Sequence, residues 1–191
     1  SALRLLRMRN LIAAGMASVM MVGTALADGL EITVGGEAQG VIKIDLAEDV
    51  APKHAERLKT LAESGAYDGV VFHRVIDGFM AQTGDVEFGK TGENISKAGM
   101  GGSDLPDLPA EFSDIAFDRG VVGMARSQSP DSANSQFFIM FDKGYFLNGQ
   151  YTVVGKVTEG MDVLDAIKRG TGGNGAVAGT PDRMVSVKVT D

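Results

Sequence analysis

The chain has 191 residues, of which 44% are hydrophobic and 23% charged, a balance that suits one globular domain and argues against disorder. It contains no cysteine, which excludes disulfides, thiol redox chemistry, thiolate metal sites and a lipid-modified cysteine anchor. The formal charge is -7; residues 1–27 hold three arginines and no acid, leaving 15 basic against 25 acidic residues, or -10, so nucleic acid and anionic lipid are poor partners for the remainder.

Arg7-Met8-Arg9 precedes an apolar run from Leu11 to Leu26, and Ala25-Leu26-Ala27 supplies small residues before Asp28, the three-part layout of a secretory signal peptide. The run is shorter than the roughly 20 apolar residues that cross a bilayer. The expectation is therefore a signal peptide over 1–27, cleaved after Ala27, giving a periplasmic protein free of the membrane; an uncleaved anchor is the alternative. Residues 1–7 would be an upstream extension before a candidate initiator at Met8. The domain is expected over 28–191.

Leu30 to Val34 and Val41 to Leu46 are short apolar or alternating runs separated by Gly35-Gly36 and Gly40, which predicts a hairpin. Asp49-Val50-Ala51-Pro52 opens a helix whose Ala51, Ala55, Leu58 and Ala62 share a face, with Gly65 as the stop. Further strands are predicted at Val70 to Val75, Phe79 to Gln82, Val121 to Ala125, Phe137 to Phe141, Thr152 to Val157 and Met184 to Val189, and a second short helix at Met161 to Lys168. Two helices that are not regular crossovers argue for a mainly β fold, a closed eight-stranded antiparallel β-barrel capped by the two α-helices. The irregular stretch from Val86 to Asp118 reads either as a functional or mobile loop or as surface decoration.

The chemistry-bearing candidates are few. His54 and His73 are the only histidines, and no metal-binding spacing accompanies them. Gly170-Thr171-Gly172-Gly173-Asn174-Gly175 resembles a nucleotide loop only superficially, because it follows a helix where that motif follows a strand; it reads as a turn. The informative segment is Phe72 to Asp85, in which Arg74, Phe79, Met80 and Gln82 combine a guanidinium, an amide and two large apolar groups. Taken alone it also reads as ordinary core with Arg74 an ion-pairing surface residue.

Two later segments settle the reading in favour of a site: Ala133-Asn134-Ser135-Gln136-Phe137-Phe138-Ile139, and Phe146 to Val157 with its Val153-Val154-Gly155-Lys156-Val157. With Phe72-His73-Arg74-Val75-Ile76, Gly78-Phe79-Met80, Gln82 and Gly84-Asp85, they make the stretch from Leu30 to Val189 resemble the cyclophilin family. The resemblance implies peptidyl-prolyl cis/trans isomerisation with no cofactor and no metal. It implies proline-containing peptides and unfolded or folding proteins as partners, and hence assistance to the folding of exported chains. By position, Arg74 is similar to the catalytic arginine and Gln82 to the amide that holds the substrate carbonyl. Phe79, Met80, Phe138 and Leu147 resemble the proline pocket, Ala125 a backbone contact, and Gln136, Phe146 and Tyr151 the rim. Arg126 stands where asparagine is usual and adds a cation beside the groove, which suggests a preference for acidic neighbours of proline. Phe146 stands where tryptophan is usual and lacks an indole N–H, so at most weak binding of cyclosporin is implied. His73 is expected to pack rather than act as a base. Competing readings are a chaperone that holds proline-containing segments in the same groove, and a hydrolase on His73, for which no activated nucleophile can be named.

Overall fold

The computed structural model describes residues 28–191, so the expected leader lies outside the described residues. The glycine-bounded hairpin forms as β1 (Gly29–Gly35) and β2 (Gly40–Leu46), which pair antiparallel and bury Leu30, Ile32, Val34, Ile42, Ile44 and Leu46 on alternate positions. Helix α1 (Pro52–Glu63) begins on proline, whose missing N–H is harmless in a first turn. Ala51 offers no side-chain cap; Glu111, far along the chain, takes that part by accepting from His54 N–H at 2.9 Å and Lys53 N–H at 3.4 Å. The helix lays Ala55, Leu58, Leu61 and Ala62 into the main core.

The remaining strands are β3 (Val70–Val71), β4 (Arg74–Ile76), β5 (Met80–Thr83), β6 (Val121–Met124), β7 (Phe137–Met140), β8 (Val153–Glu159) and β9 (Arg183–Thr190), with α2 (Met161–Asp165) between β8 and β9. The closed eight-stranded barrel expected from the sequence does not form. The sheet has nine antiparallel strands in the order β3-β9-β1-β2-β8-β6-β7-β5-β4, and its ends β3 and β4 share no ladder, so it is a curled half-barrel. Val70 to Val75 is two strands because its middle is claimed from elsewhere. Val71 N–H bonds Gly89 O, Phe72 N–H bonds Asp182 O, and Val71 O accepts from the Thr83 hydroxyl at 2.9 Å. A side chain and loop carbonyls thus bridge the gap that a ladder would have closed.

Helix α2 likewise stops short of Lys168, whose N–H leaves the helical path to bond the fully buried Asp182 at 2.7 Å. The same carboxylate accepts from Glu37 N–H at 2.5 Å and Ala38 N–H at 3.4 Å, fastening the first hairpin to this corner.

Alternation along β4, β5, β6 and β7 divides the side chains between two cores. Val75, Ala81, Val122, Phe137 and Ile139 face the main core inside the curl. Ile76, Met80, Phe138 and Met140 face outward into a second, smaller core with Phe117, Val121, Leu147 and Val153. That outer cluster floors the site described next.

Candidate active site

Arg74, Gln82 and Phe138 are successive cross-strand partners on β4, β5 and β7, so their side chains stand on one face. They border a hollow of about 290 Å³ that every predicted site residue except Gln136 lines. Its floor is buried: Met80 is 2%, Phe138 5% and Leu147 7% exposed, whereas Phe146 on the rim is 72% exposed. Phe138 stacks on Phe117 at 5.9 Å between ring centres and meets the edge of Tyr151 at 5.8 Å; Phe79 leans on Phe146 at 5.5 Å. Gly123 of β6 lies opposite Phe138, and a β-carbon there would come within 2.4 Å of that ring and 2.7 Å of Phe117, so the stacked floor requires glycine.

The polar wall is a directed chain of hydrogen bonds. Gln136 Nε2 donates to the carbonyls of Gly99 at 3.0 Å and Gly101 at 2.9 Å, which can only accept, so its Oε1 must turn the other way and accept from Gln82 Nε2 at 3.0 Å. Gln82 Oε1 then accepts from Arg74 Nη1 at 3.2 Å. Arg74 Nε donates to Asn174 O at 2.7 Å, and among the described residues no carboxylate lies within ion-pairing distance of this guanidinium. Among the described residues, three of its five N–H groups find no partner, nor does one on Gln82.

His73 adjoins Arg74 but offers no proton relay. Burial, reinforced by the Arg74 charge and only partly offset by Asp85, pushes its pKa down to about 4, and Nδ1 is shut from solvent with no partner among the described residues. It is neutral at pH 7. Ala125 follows the end of β6; its N–H is committed to Gln136 O, and its carbonyl accepts no bond from the described residues. Arg126 is less free than its sequence position suggests. Its guanidinium stacks 4.3 Å from the Tyr151 ring centre, donates twice to Gln150 O, and also donates to Ser127 O and Gln128 O.

Gln136 instead lines an adjoining hollow of about 360 Å³ that shares Gln82, Ala125 and Arg126 with the first. Part of the irregular 86–118 stretch walls this second hollow, through residues 99 to 103 and Asp107. Asp85, fully buried, organises that wall by accepting from the N–H groups of Glu87, Phe88, Gly99 and Gly101. In the sequence Asp85 stands out only by its place in the motif and Asn174 only as part of a turn; the latter meets Arg74 across 100 positions, which no local pattern signals.

The model for "Cyclophilin type peptidyl-prolyl cis-trans isomerase/CLD" matches residues 30–189. A Brucella suis protein named "Probable peptidyl-prolyl cis-trans isomerase" is 57% identical over 152 residues, 78% of each chain. Among solved structures, a cyclophilin from Hirschia baltica is 26% identical with a TM-score of 0.68, the match covering 84% of this chain and 73% of that one. A cyclophilin-type isomerase from Cryptosporidium parvum, crystallised in the presence of the dipeptide Ala-Pro, is 25% identical with a TM-score of 0.71, covering 85% of this chain and 99% of that one.

Proposed function

Because this chain belongs to the cyclophilin-type peptidyl-prolyl cis-trans isomerase family, we propose that Arg74 carries the family's reaction here by donating a hydrogen bond to the prolyl nitrogen as the amide twists. The planar X-Pro bond resists rotation by about 18–20 kcal/mol because the nitrogen lone pair is delocalised into the carbonyl. Out of plane that lone pair returns to nitrogen and becomes an acceptor the ground state lacks. A donor fixed beside it therefore favours the transition state selectively, which is what raises a rate. An arginine suits the task because its guanidinium stays protonated and its donors are rigidly planar.

The observation that carries this reading is the arrangement of Arg74: N–H groups left free among the described residues at the edge of an apolar hollow, with no carboxylate of those residues to neutralise them. Met80, Phe138 and Leu147 would seat the pyrrolidine ring and exclude water, while the remaining Gln82 N–H would hold the preceding carbonyl. The Ala125 carbonyl would accept from the substrate backbone. The Cryptosporidium relative studied with Ala-Pro supports proline-containing peptides as the ligand class. No nucleophile, cofactor or metal is required by such a step.

The signal-like opening supports export and removal of residues 1–27, and the clients would then be unfolded or folding proteins of the periplasm, where slow proline steps limit folding. Proline-limited refolding tests the catalytic reading: wild type should accelerate the slow phase and Arg74→Ala should not. A pure holding chaperone would act equally well with either side chain. Sequencing the N-terminus of protein from a periplasmic fraction tests the rest, and a start at any residue far from Asp28 would count against the assigned cleavage.

A further inference from the structure

The glycine-rich segment 170–175 does not line the proline hollow, yet it sits directly on the strand that carries Arg74. Gly175 O accepts from Val75 N–H at 2.8 Å, Gly170 N–H donates to Val75 O at 2.7 Å, and Val177 N–H donates to His73 O at 3.1 Å. The segment thus covers the outer edge of β4 on both sides of residue 74. At its tip, Asn174 folds back so that its own Oδ1 accepts from Ala176 N–H at 3.2 Å, which turns the main-chain carbonyl of Asn174 toward Arg74 Nε, 2.7 Å away.

Glycine is demanded by space as well as by turn geometry. Gly175 has φ +75, and a β-carbon there would lie 2.4 Å from Ile76 Cγ1; one on Gly170 would lie 1.9 Å from Gly175 O. The turn is therefore pressed against β4 as closely as backbone allows, and its tip carbonyl has little freedom to retreat.

The consequence for the guanidinium follows from its planar fork. Gln82 Oε1 holds one Nη1 hydrogen and Asn174 O holds the Nε hydrogen, two contacts on different corners of one rigid plane. Two such contacts fix the plane's position and tilt, and the Nη2 corner is left as the principal donor. With Gln82 alone, the side chain could pivot about a single bond.

We propose that the Asn174-Gly175 turn is a positioning element of the isomerase site, using the Asn174 carbonyl to aim the Nη2 edge of Arg74 into the proline hollow. This rests on the catalytic assignment of Arg74. Gly175→Ala, which displaces the carbonyl, lowers kcat about 10- to 100-fold, the range of one hydrogen bond to a charged group, while KM for a proline peptide changes by less than about threefold. The effect vanishes when Arg74 is already alanine, because the turn acts only through that side chain.

The experiment is the cycle of wild type, Arg74→Ala, Gly175→Ala and the double variant, with peptide isomerisation and 15N–1H spectra of the arginine Nε–H as readouts. In the wild type the Arg74 Nε–H is slow to exchange with water; its signal is absent in Arg74→Ala and exchanges fast in Gly175→Ala. Equal losses from Gly175→Ala in both Arg74 backgrounds, or no loss of kcat in the single variant, overturn the proposal and leave the Arg74 assignment standing. Near-normal turnover by Arg74→Ala overturns both. If Gly175→Ala does not fold, Asn174→Ala tests the same contact by removing the Oδ1 bond, with recovery expected in Asn174→Asp; failure of Asn174→Ala to lower kcat then overturns the proposal.

Discussion

The half-buried imidazole of His73, beside Arg74, should make stability depend on pH in a window where carboxylates hardly contribute. His73 titrates near 6.5 when unfolded and at about 4 in the folded protein, chiefly because burial disfavours its charged form. The folded pKa is depressed, so between these values the unfolded chain binds the extra proton. Stability from this group is complete above about pH 6.5 and declines as pH falls toward 4, by up to about 3 kcal/mol. Burial lowers the His54 pKa as well, so that residue adds in the same direction. Asp28 and Asp165 are held below 3.8 by Lys59 and Arg119, and their contributions disappear only in stronger acid. Urea midpoints measured from pH 7.5 to 4 for the wild type and His73→Gln would expose the difference: the variant should start less stable, having lost packing, but fall less steeply. Parallel curves would refute the assignment of a depressed His73 and, with it, the argument that this histidine is neutral beside Arg74.

Gly123→Ala should force the stacked Phe138 and Phe117 rings apart, costing about 1–3 kcal/mol of stability and raising KM for proline peptides; an unchanged KM would show that Phe138 is not the pocket floor. Phe146→Trp, at a rim position 72% exposed, should leave the melting temperature nearly unaltered and increase cyclosporin affinity by about tenfold, the worth of one added hydrogen bond, with calorimetric titration as the check. Arg126 retains its charge although its donors are mostly occupied, so peptides with Glu before proline should turn over faster than those with Lys, and more so at low salt; identical rates would remove it from the specificity determinants.

How much of this was legible in the sequence depended on the range of the interactions involved. The first hairpin and α1 follow from glycine spacing and helical periodicity, both local. The residues that line the hollow could be picked out because Arg74, Gln82 and Phe138 belong to dense motifs, and strand alternation then places them side by side. The break within Val70 to Val75 was not readable, since Gly89, Asp182 and Thr83 impose it from other parts of the chain. That single break turns an expected closed barrel of eight strands into an open curl of nine. Arg126 shows the same limit from another side. Its position suggests an added cation beside the groove, but the carbonyls of Gln150, Ser127 and Gln128 absorb most of its donors. The 86–118 stretch lacks periodicity because its order comes from buried Asp85 and from Asn134, which receives Ser103 N–H at 2.8 Å, rather than from a repeating pattern.

The most direct test compares Arg74→Ala with the wild type in two measurements on one proline peptide: the rate of cis/trans exchange at saturation and the dissociation constant. Loss of a donor that acts only on the twisted amide should lower the rate by about 100- to 1,000-fold and leave affinity within a few-fold. Rapid exchange with the arginine gone, or a loss of affinity large enough to account for the whole deficit, would contradict the account.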